Sequence, residues 1–264
     1  MAGPSSASSP DTGGRVEAGI SVWLSRLPAD PDLAAMCRCL DAAELARLET
    51  LAPPRQREFG LSRWLIREAL ARVSGLAPGQ CAPAAGRPVR SAWPEGLTLS
   101  LSHSHGVAAC AISTGAAVGV DLEPLTRRPA WQQVARRWFT PDEQDWLLNA
   151  NRHQDFLRVW TLKEAWLKAT GRGIAGHLQT LQVSANGQLR GDDRRHPWRA
   201  CVGTVADMML AVAFSADPPL QRAPAVHWLT APAQSASGAP APDSADMDWW
   251  TATDILTEAS DDRQ

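Results

Sequence analysis

Two periods of apolar residues divide the chain, and the switch between them predicts where strands give way to helices. Alternation with period two marks a first strand over 20–27, ended by Pro28, and a clearer one over 97–101, where leucines alternate with Thr98, Ser100 and Ser102. The SHSHG turn at 102–106 leads into a small-residue strand at 107–112, which places His103 at a hairpin tip. After Gly115 the run AVGVDLE predicts another strand, stopped by Pro124. Its alternation sends Val118, Val120 and Leu122 to one face and Gly119, Asp121 and Glu123 to the other. Helical spacing marks 33–51, with Asp41 and Glu44 at a plausible start, and 55–73, with Phe59, Trp64, Leu65, Leu70 and Val73. Residues 130–150 read as a helical region whose second part opens with Thr140 as N-cap, Pro141 in the first position and Glu143 completing a capping box. Another helix runs from Asp155 to the stop signals Gly171 and Gly173, and short strands follow around 181–183, 198–202, 208–214 and 226–229. The flanks 1–18 and 231–264 are rich in Ser, Ala and Pro and are expected to be disordered, with MDWWTATDIL at 247–256 as an aromatic-acidic segment inside the second.

The helix before Gly171 carries the first sign of chemistry. On a wheel of about 100° per residue, Phe156, Val159, Trp160, Lys163 and Leu167 share one arc, with Glu164 and Lys168 at its margin. A lysine thus sits inside an apolar stripe. Of the 26 Lys and Arg side chains only Lys163 and Lys168 are lysine, which points to a need for a compact, rotatable ammonium at those positions. The stem of Lys163 is expected to lie along its apolar neighbours while its ammonium reaches a cleft. Asp121 and Glu123 stand side by side on one strand face. Such a pair either binds a hard cation, with oxygen ligands favouring magnesium, or faces water; the preceding Gly119 admits close approach and favours function. The helix at 55–73 bears Arg55, Arg57, Arg63, Arg67 and Arg72, enough for one or two to face a phosphate.

Composition adds limits. At 264 residues and 44% apolar the chain can bury a substantial core. Its five cysteines form no CxxC pair and have no zinc-like spacing to histidine, which fits a reducing cytoplasm. The N-terminus lacks the apolar core of a signal peptide, and no run approaches the roughly 18 apolar residues of a membrane span, so a soluble intracellular protein is expected. The net charge of −2 hides an asymmetry: residues 243–264 hold seven acidic groups and one arginine, leaving 25 basic against 21 acidic elsewhere. A mildly basic body fits an anionic ligand or partner, and no aromatic-interleaved basic motif argues for nucleic acid.

Taken in order, GRP at 86–88, LSLSHS at 99–104, GVDLE at 119–123, FTPDE at 139–143 and WTLKEAWLK at 160–168 closely resemble the signature of 4′-phosphopantetheinyl transferases of the larger single-chain type. The likeness spans roughly residues 20 to 230. It implies an α+β fold of two similar halves, 19–115 and 116–230, related by pseudo-twofold symmetry with coenzyme A bound between them. It further implies that Asp121, Glu123 and Glu164 hold magnesium and that Lys163 and Lys168 face phosphate. Arg63, Ser102 and His103, with Arg55, Arg57 and Arg87, would contact coenzyme A, and Glu143 would lie near the metal. The implied reaction moves phosphopantetheine from coenzyme A to a serine of an acyl or peptidyl carrier protein and releases 3′,5′-ADP. Glu164, or a water held by it, is the first choice of base and Glu143 the second. A monomer is expected. Two other readings are a magnesium-dependent hydrolase of a coenzyme A or nucleotide pyrophosphate and a non-catalytic coenzyme A-binding module.

Overall fold

A computed structural model of the chain describes residues 19–84, 91–128, 130–173, 176–215, 223–235 and 248–257. In chain order they form β1 (Ile20–Arg26), α1 (Leu33–Cys37), α2 (Ala42–Glu49), α3 (Pro53–Ser74), β2 (Ala82–Pro83), β3 (Ser91–Trp93), β4 (Leu97–Ser104), β5 (Val107–Thr114) and β6 (Val118–Pro124). There follow α4 (Trp131–Trp138), α5 (Pro141–Ala150), α6 (His153–Ala169), β7 (Leu181–Val183), β8 (Leu189–Gly191), β9 (Trp198–Val205), β10 (Met208–Ser215), β11 (Ala225–Trp228) and β12 (Asp248–Thr257). None of these helices is long and apolar enough to cross a membrane.

The α+β expectation holds, and the topology shows how the halves correspond. One main sheet has the order β11-β1-β5-β4 and the other β6-β10-β9-β12-β8-β7, while β2 and β3 pair separately. Within each sheet the chain follows one path: a strand, a long helix, then a hairpin whose second strand slots back beside the first. β1, α3, β4 and β5 trace it once; β6, α6, β9 and β10 trace it again. The crossing between sheets falls between Thr114 and Val118, around Gly115.

Alternation along the strands sorts the side chains into three cores. On the outer face of the first sheet, Leu65, Ile66 and Leu70 of α3 pack with Leu99, Cys110 and Ile112. On the outer face of the second, Phe156, Leu162 and Trp166 of α6 pack with Ala200, Val202 and Ala211. The inner faces close on each other through Val22, Leu24 and Ala111 on one side and Val120, Leu122, Leu210 and Val212 on the other. The result is a helix–sheet–sheet–helix stack whose central layer is buried apolar surface. β6 keeps its predicted alternation: the valines and Leu122 enter the central core, while Gly119 lies against α6.

Several elements depart from expectation for local reasons. The 33–51 stretch is two helices, because Asp41 and Glu44 form a capping box that starts α2 afresh. The β4–β5 turn is two residues, His105 and Gly106, both at positive φ (48 and 75), a tight reversal that leaves His103 within β4 opposite Ala108 and not at the tip. β11 pairs parallel with β1, so the segment expected in the second half completes the first sheet. Within 231–264, β12 is a strand between β9 and β8, with Ile255 buried and Asp254 2.9 Å from Arg199 Nε. Its alternating segment fills an edge of β9 that would otherwise stay unpaired, a long-range pairing that the surrounding Ala, Pro and Ser composition conceals. Residues 1–18 and Arg87 lie outside the described residues.

The close approach of α6 to β6 at Gly119 gives a test. A Cβ at Gly119 would lie 2.0 Å from Ala165 O and 2.4 Å from Ala169 N, both backbone atoms that cannot rotate away. Gly119→Ala should therefore force α6 off β6 and cost about 3 kcal/mol or more in urea unfolding, at the upper end of overpacking effects.

Candidate active site

The strand orders leave β4 at one sheet edge and β6 at the other, and these two edges face each other. Edge strands carry unpaired backbone groups. Here they meet through side chains of β4 instead of through a backbone ladder. Leu97, Leu99 and Leu101 point toward α3, so alternation turns Thr98, Ser100, Ser102 and Ser104 toward β6. Thr98 Oγ1 donates to Ala116 O, and Ser100 Oγ accepts from Val120 N at 3.0 Å. Farther along, Ser102 Oγ donates to Asp121 Oδ1 at 2.7 Å and Ser104 Oγ to Glu123 Oε2 at 3.1 Å. Every second residue from Thr98 to Ser104 of β4 thus grips the other half.

At the carboxylate end of this ladder a cavity of about 750 Å³ opens between β4, β6 and the C-terminal part of α6. Ser102, His103, Asp121, Glu123, Glu164 and Lys168 line it, together with Arg127 and Arg172. The i,i+4 spacing of Glu164 and Lys168 places both on one side of α6, above β6. Lys168 Nζ donates to Asp121 Oδ1 at 2.8 Å and to Val120 O at 2.9 Å, so it fastens the strand edge and neutralises one acid. Glu123 is engaged by Arg127 and Ser104. Asp121 Oδ2 is buried with no hydrogen-bond partner among the described residues. Glu164 is 7% exposed, and desolvation followed by the charge of Asp121 pushes its carboxyl up to about 7, against the pull of Lys168 and Arg127. A carboxylate that exchanges its proton near neutrality beside two cations can accept a proton from a substrate hydroxyl. Among the described residues no group of three Asp, Glu, His or Cys side chains stands ready to ligate a metal.

Five predicted site residues lie elsewhere. Lys163 is fully buried on the other side of α6, where its Nζ donates to Leu178 O at 2.7 Å and to Leu181 O and pairs with Glu143 Oε1 at 2.8 Å. Three acceptors meet three N–H donors, so none is left to reach a cleft. Burial pushes its ammonium below the usual lysine range, with Glu143 opposing that shift. Glu143 is equally committed: it caps α5 through Thr140 N at 3.0 Å and accepts from Val183 N at 2.8 Å. The expectation that Lys163 snorkels fails because the segment after α6 returns its carbonyls over the stem. Arg55, Arg57 and Arg63 do not line the cavity either. Arg55 pairs with Glu58 at 2.5 Å, Arg57 is exposed on α3, and Arg63 sits 3.3 Å from Glu44, which also binds the buried Arg67. The cavity cations that sequence reasoning missed are Arg127, four residues beyond Glu123, and Arg172, between two stop glycines.

This geometry agrees with the family comparisons. Residues 43–113 match the 4′-phosphopantetheinyl transferase N-terminal domain and residues 117–213 the 4′-phosphopantetheinyl transferase superfamily, and the two matches meet where the chain crosses between sheets. The chain is 36% identical over 176 residues to the 4′-phosphopantetheinyl transferase HetI of Nostoc sp., covering 62% of this chain and 73% of HetI. It is 32% identical over 179 residues to slr0495 of Synechocystis sp., covering 62% and 70% of the two chains. With the 4′-phosphopantetheinyl transferase Svp of Streptomyces mobaraensis it shares 34% over 140 residues, 48% of this chain and 54% of Svp. The chain belongs to the 4′-phosphopantetheinyl transferase superfamily.

Two outcomes test the electrostatics of this region. Lys163→Met leaves Glu143 buried without its cation and should cost about 3–5 kcal/mol in chemical denaturation. Adding Glu143→Gln, which removes the unpaired charge and keeps an acceptor for one of the Thr140 and Val183 amides, should recover part of that loss. For Glu164 the sign follows from its raised proton affinity. Below the ordinary value of 4.5 both folded and unfolded states hold the proton, whereas above about 7 the folded state carries a desolvated charge. Glu164→Gln should therefore stabilise the chelator-treated protein at pH 8 by on the order of 3 kcal/mol, a difference that vanishes toward pH 4.5.

Proposed function

We propose that the chain transfers the 4′-phosphopantetheine group from coenzyme A to a serine of an apo acyl or peptidyl carrier protein, releasing 3′,5′-ADP. The observation that carries this reading is a neutral-range carboxyl, Glu164, standing beside an Asp121–Lys168 pair in a cavity built from both halves. The serine oxygen attacks the β-phosphorus, the bond from that phosphorus to the bridging oxygen on the ADP side breaks, and the serine proton passes to Glu164. Lys168 offers a compact charge to the pyrophosphate while keeping its hold on Asp121. His103, exposed at the rim, faces a phosphate, and Ser102 fixes Asp121 from the other half. The acids are divided between a strand and a helix, an arrangement that does not favour the hydrolase reading.

The donor chemistry suits a divalent cation, but among the described residues the three acids do not stand grouped around one. Asp121 Oδ2 is a buried acceptor lacking a donor among the described residues, and the acids nearest to it supply only oxygen, as magnesium prefers. Asp121, Glu123 and Glu164 would hold the ion. When bound it would offset negative charge developing on the phosphate oxygens.

Incubation of the protein with coenzyme A, magnesium and an apo carrier should give a carrier bearing phosphopantetheine on serine and an equal amount of 3′,5′-ADP, read by intact-mass spectrometry and chromatography. Free 4′-phosphopantetheine beside an unmodified carrier would overturn the transferase reading. Asp121→Asn should lower turnover by about a hundredfold or more, corresponding to roughly 3 kcal/mol of lost transition-state stabilisation, with an unchanged circular dichroism spectrum.

A further inference from the structure

The cavity holds one carboxylate whose two oxygens both bind the protein itself. Glu123 gives one oxygen to Arg127 and the other to Ser104, whereas Asp121 keeps a bare Oδ2. A cation arriving at Glu123 therefore meets a carboxylate whose charge is already paired, by Arg127. The backbone under Arg127 is pinned: Leu125 N donates to Asp207 O at 2.9 Å and Arg127 N to Pro124 O at 2.9 Å. Only the side chain has freedom. It is half-buried, and besides the main cavity it lines a small apolar notch of about 30 Å³ with Val134, Phe156, Leu157 and Trp160. That notch gives the methylene stem a surface to slide along while the guanidinium changes its anion.

We propose that Arg127 is a built-in counter-ion that holds Glu123 in the ligand-free protein, yields that carboxylate to a divalent cation, and moves onto a pyrophosphate oxygen of coenzyme A. The inference rests on the transferase reading of the cavity. It makes the two ligands interdependent. A cation arriving alone must displace a guanidinium that has nowhere equally good to go, and coenzyme A supplies the replacement anion. Each ligand then tightens the binding of the other, by reciprocal linkage. Arg128 is the built-in comparison: it carries the same charge one residue away, but donates to Leu125 O and stands 3.0 Å from His153 Nδ1, not on Glu123.

The test measures Mn²⁺ binding by electron paramagnetic resonance of the free ion and coenzyme A binding by calorimetry, with no carrier present. Arg127→Gln should bind Mn²⁺ alone about threefold to tenfold more tightly, because the competing cation is gone. The same variant should bind coenzyme A in the presence of Mn²⁺ about threefold to tenfold more weakly, because a phosphate partner is gone. Arg128→Gln should change either constant by less than about twofold, since its charge is exposed and screened. Opposite signs in one variant are the signature. An unchanged or weakened Mn²⁺ constant in Arg127→Gln, an unaffected coenzyme A constant, or equal shifts in the two arginine variants would overturn the proposal, as would absence of Mn²⁺ binding to the wild type. A wild type that modifies its carrier while Arg127→Gln binds Mn²⁺ normally sinks this inference alone. Opposite shifts without any carrier modification would uphold the counter-ion and sink the transferase reading.

Discussion

Two sheet edges that do not pair with each other govern this molecule. β4 and β6 come together without a backbone ladder, and the hydroxyls of Thr98, Ser100, Ser102 and Ser104 fill the seam between them. A bridging hydroxyl both donates and accepts, so it suits a seam where one rung meets a carbonyl, the next an amide and the last two a carboxylate. Leucine in those positions would leave Val120 N without Ser100 and Asp121 Oδ1 with Lys168 alone inside a buried seam. The same period-two pattern that gives α3 its apolar platform therefore also sets the spacing of the acids in the cavity.

The two lysines of α6 show how a helix divides labour by angle. Five residues apart, they fall on different sides of the same cylinder. Lys163 is enclosed by carbonyls and Glu143 and ties α5, α6 and the approach to β7 into one body. Lys168 reaches the seam, where Val120 is held from both directions, its N–H by Ser100 and its carbonyl by Lys168. The buried pair thus fixes the helix, and the helix fixes where Glu164 stands. Arginine suits neither position, because a wide planar fork matches neither the socket of two carbonyls and a carboxylate nor the space between a peptide oxygen and Asp121.

What was legible in the sequence was local. The alternation of β6, the capping box of α5 and the order of the acids all depend on residues within a few positions of one another, and the structure keeps them. The fate of Lys163 was not legible, because its acceptors at Leu178 and Leu181 arrive after a loop whose path no periodicity encodes. Arg63 and Arg67 of α3 read as phosphate ligands because their carboxylate partner Glu44 lies in a different helix. Arg127 was hidden behind Pro124, which signals the end of a strand but not that the chain then turns back over it. β12 was concealed by composition, since a strand that joins a sheet from far along the chain needs only an adequate alternating segment and an available edge.

The repeated strand–helix–hairpin path raises a question of number. A duplicated path offers two equivalent seams: the hairpin strand of the first copy beside the opening strand of the second, and the converse. The first is the β4–β6 seam. In the second, the corresponding strands are β9 and β1, and each already carries a neighbour from the C-terminal part of the chain, β12 on β9 and β11 on β1. The late strands thus break the equivalence of an otherwise repeated architecture, leaving one copy of the seam open and sealing the other. The asymmetry between the two seams is then a property of β11 and β12, not of the strand–helix–hairpin paths that the two halves share.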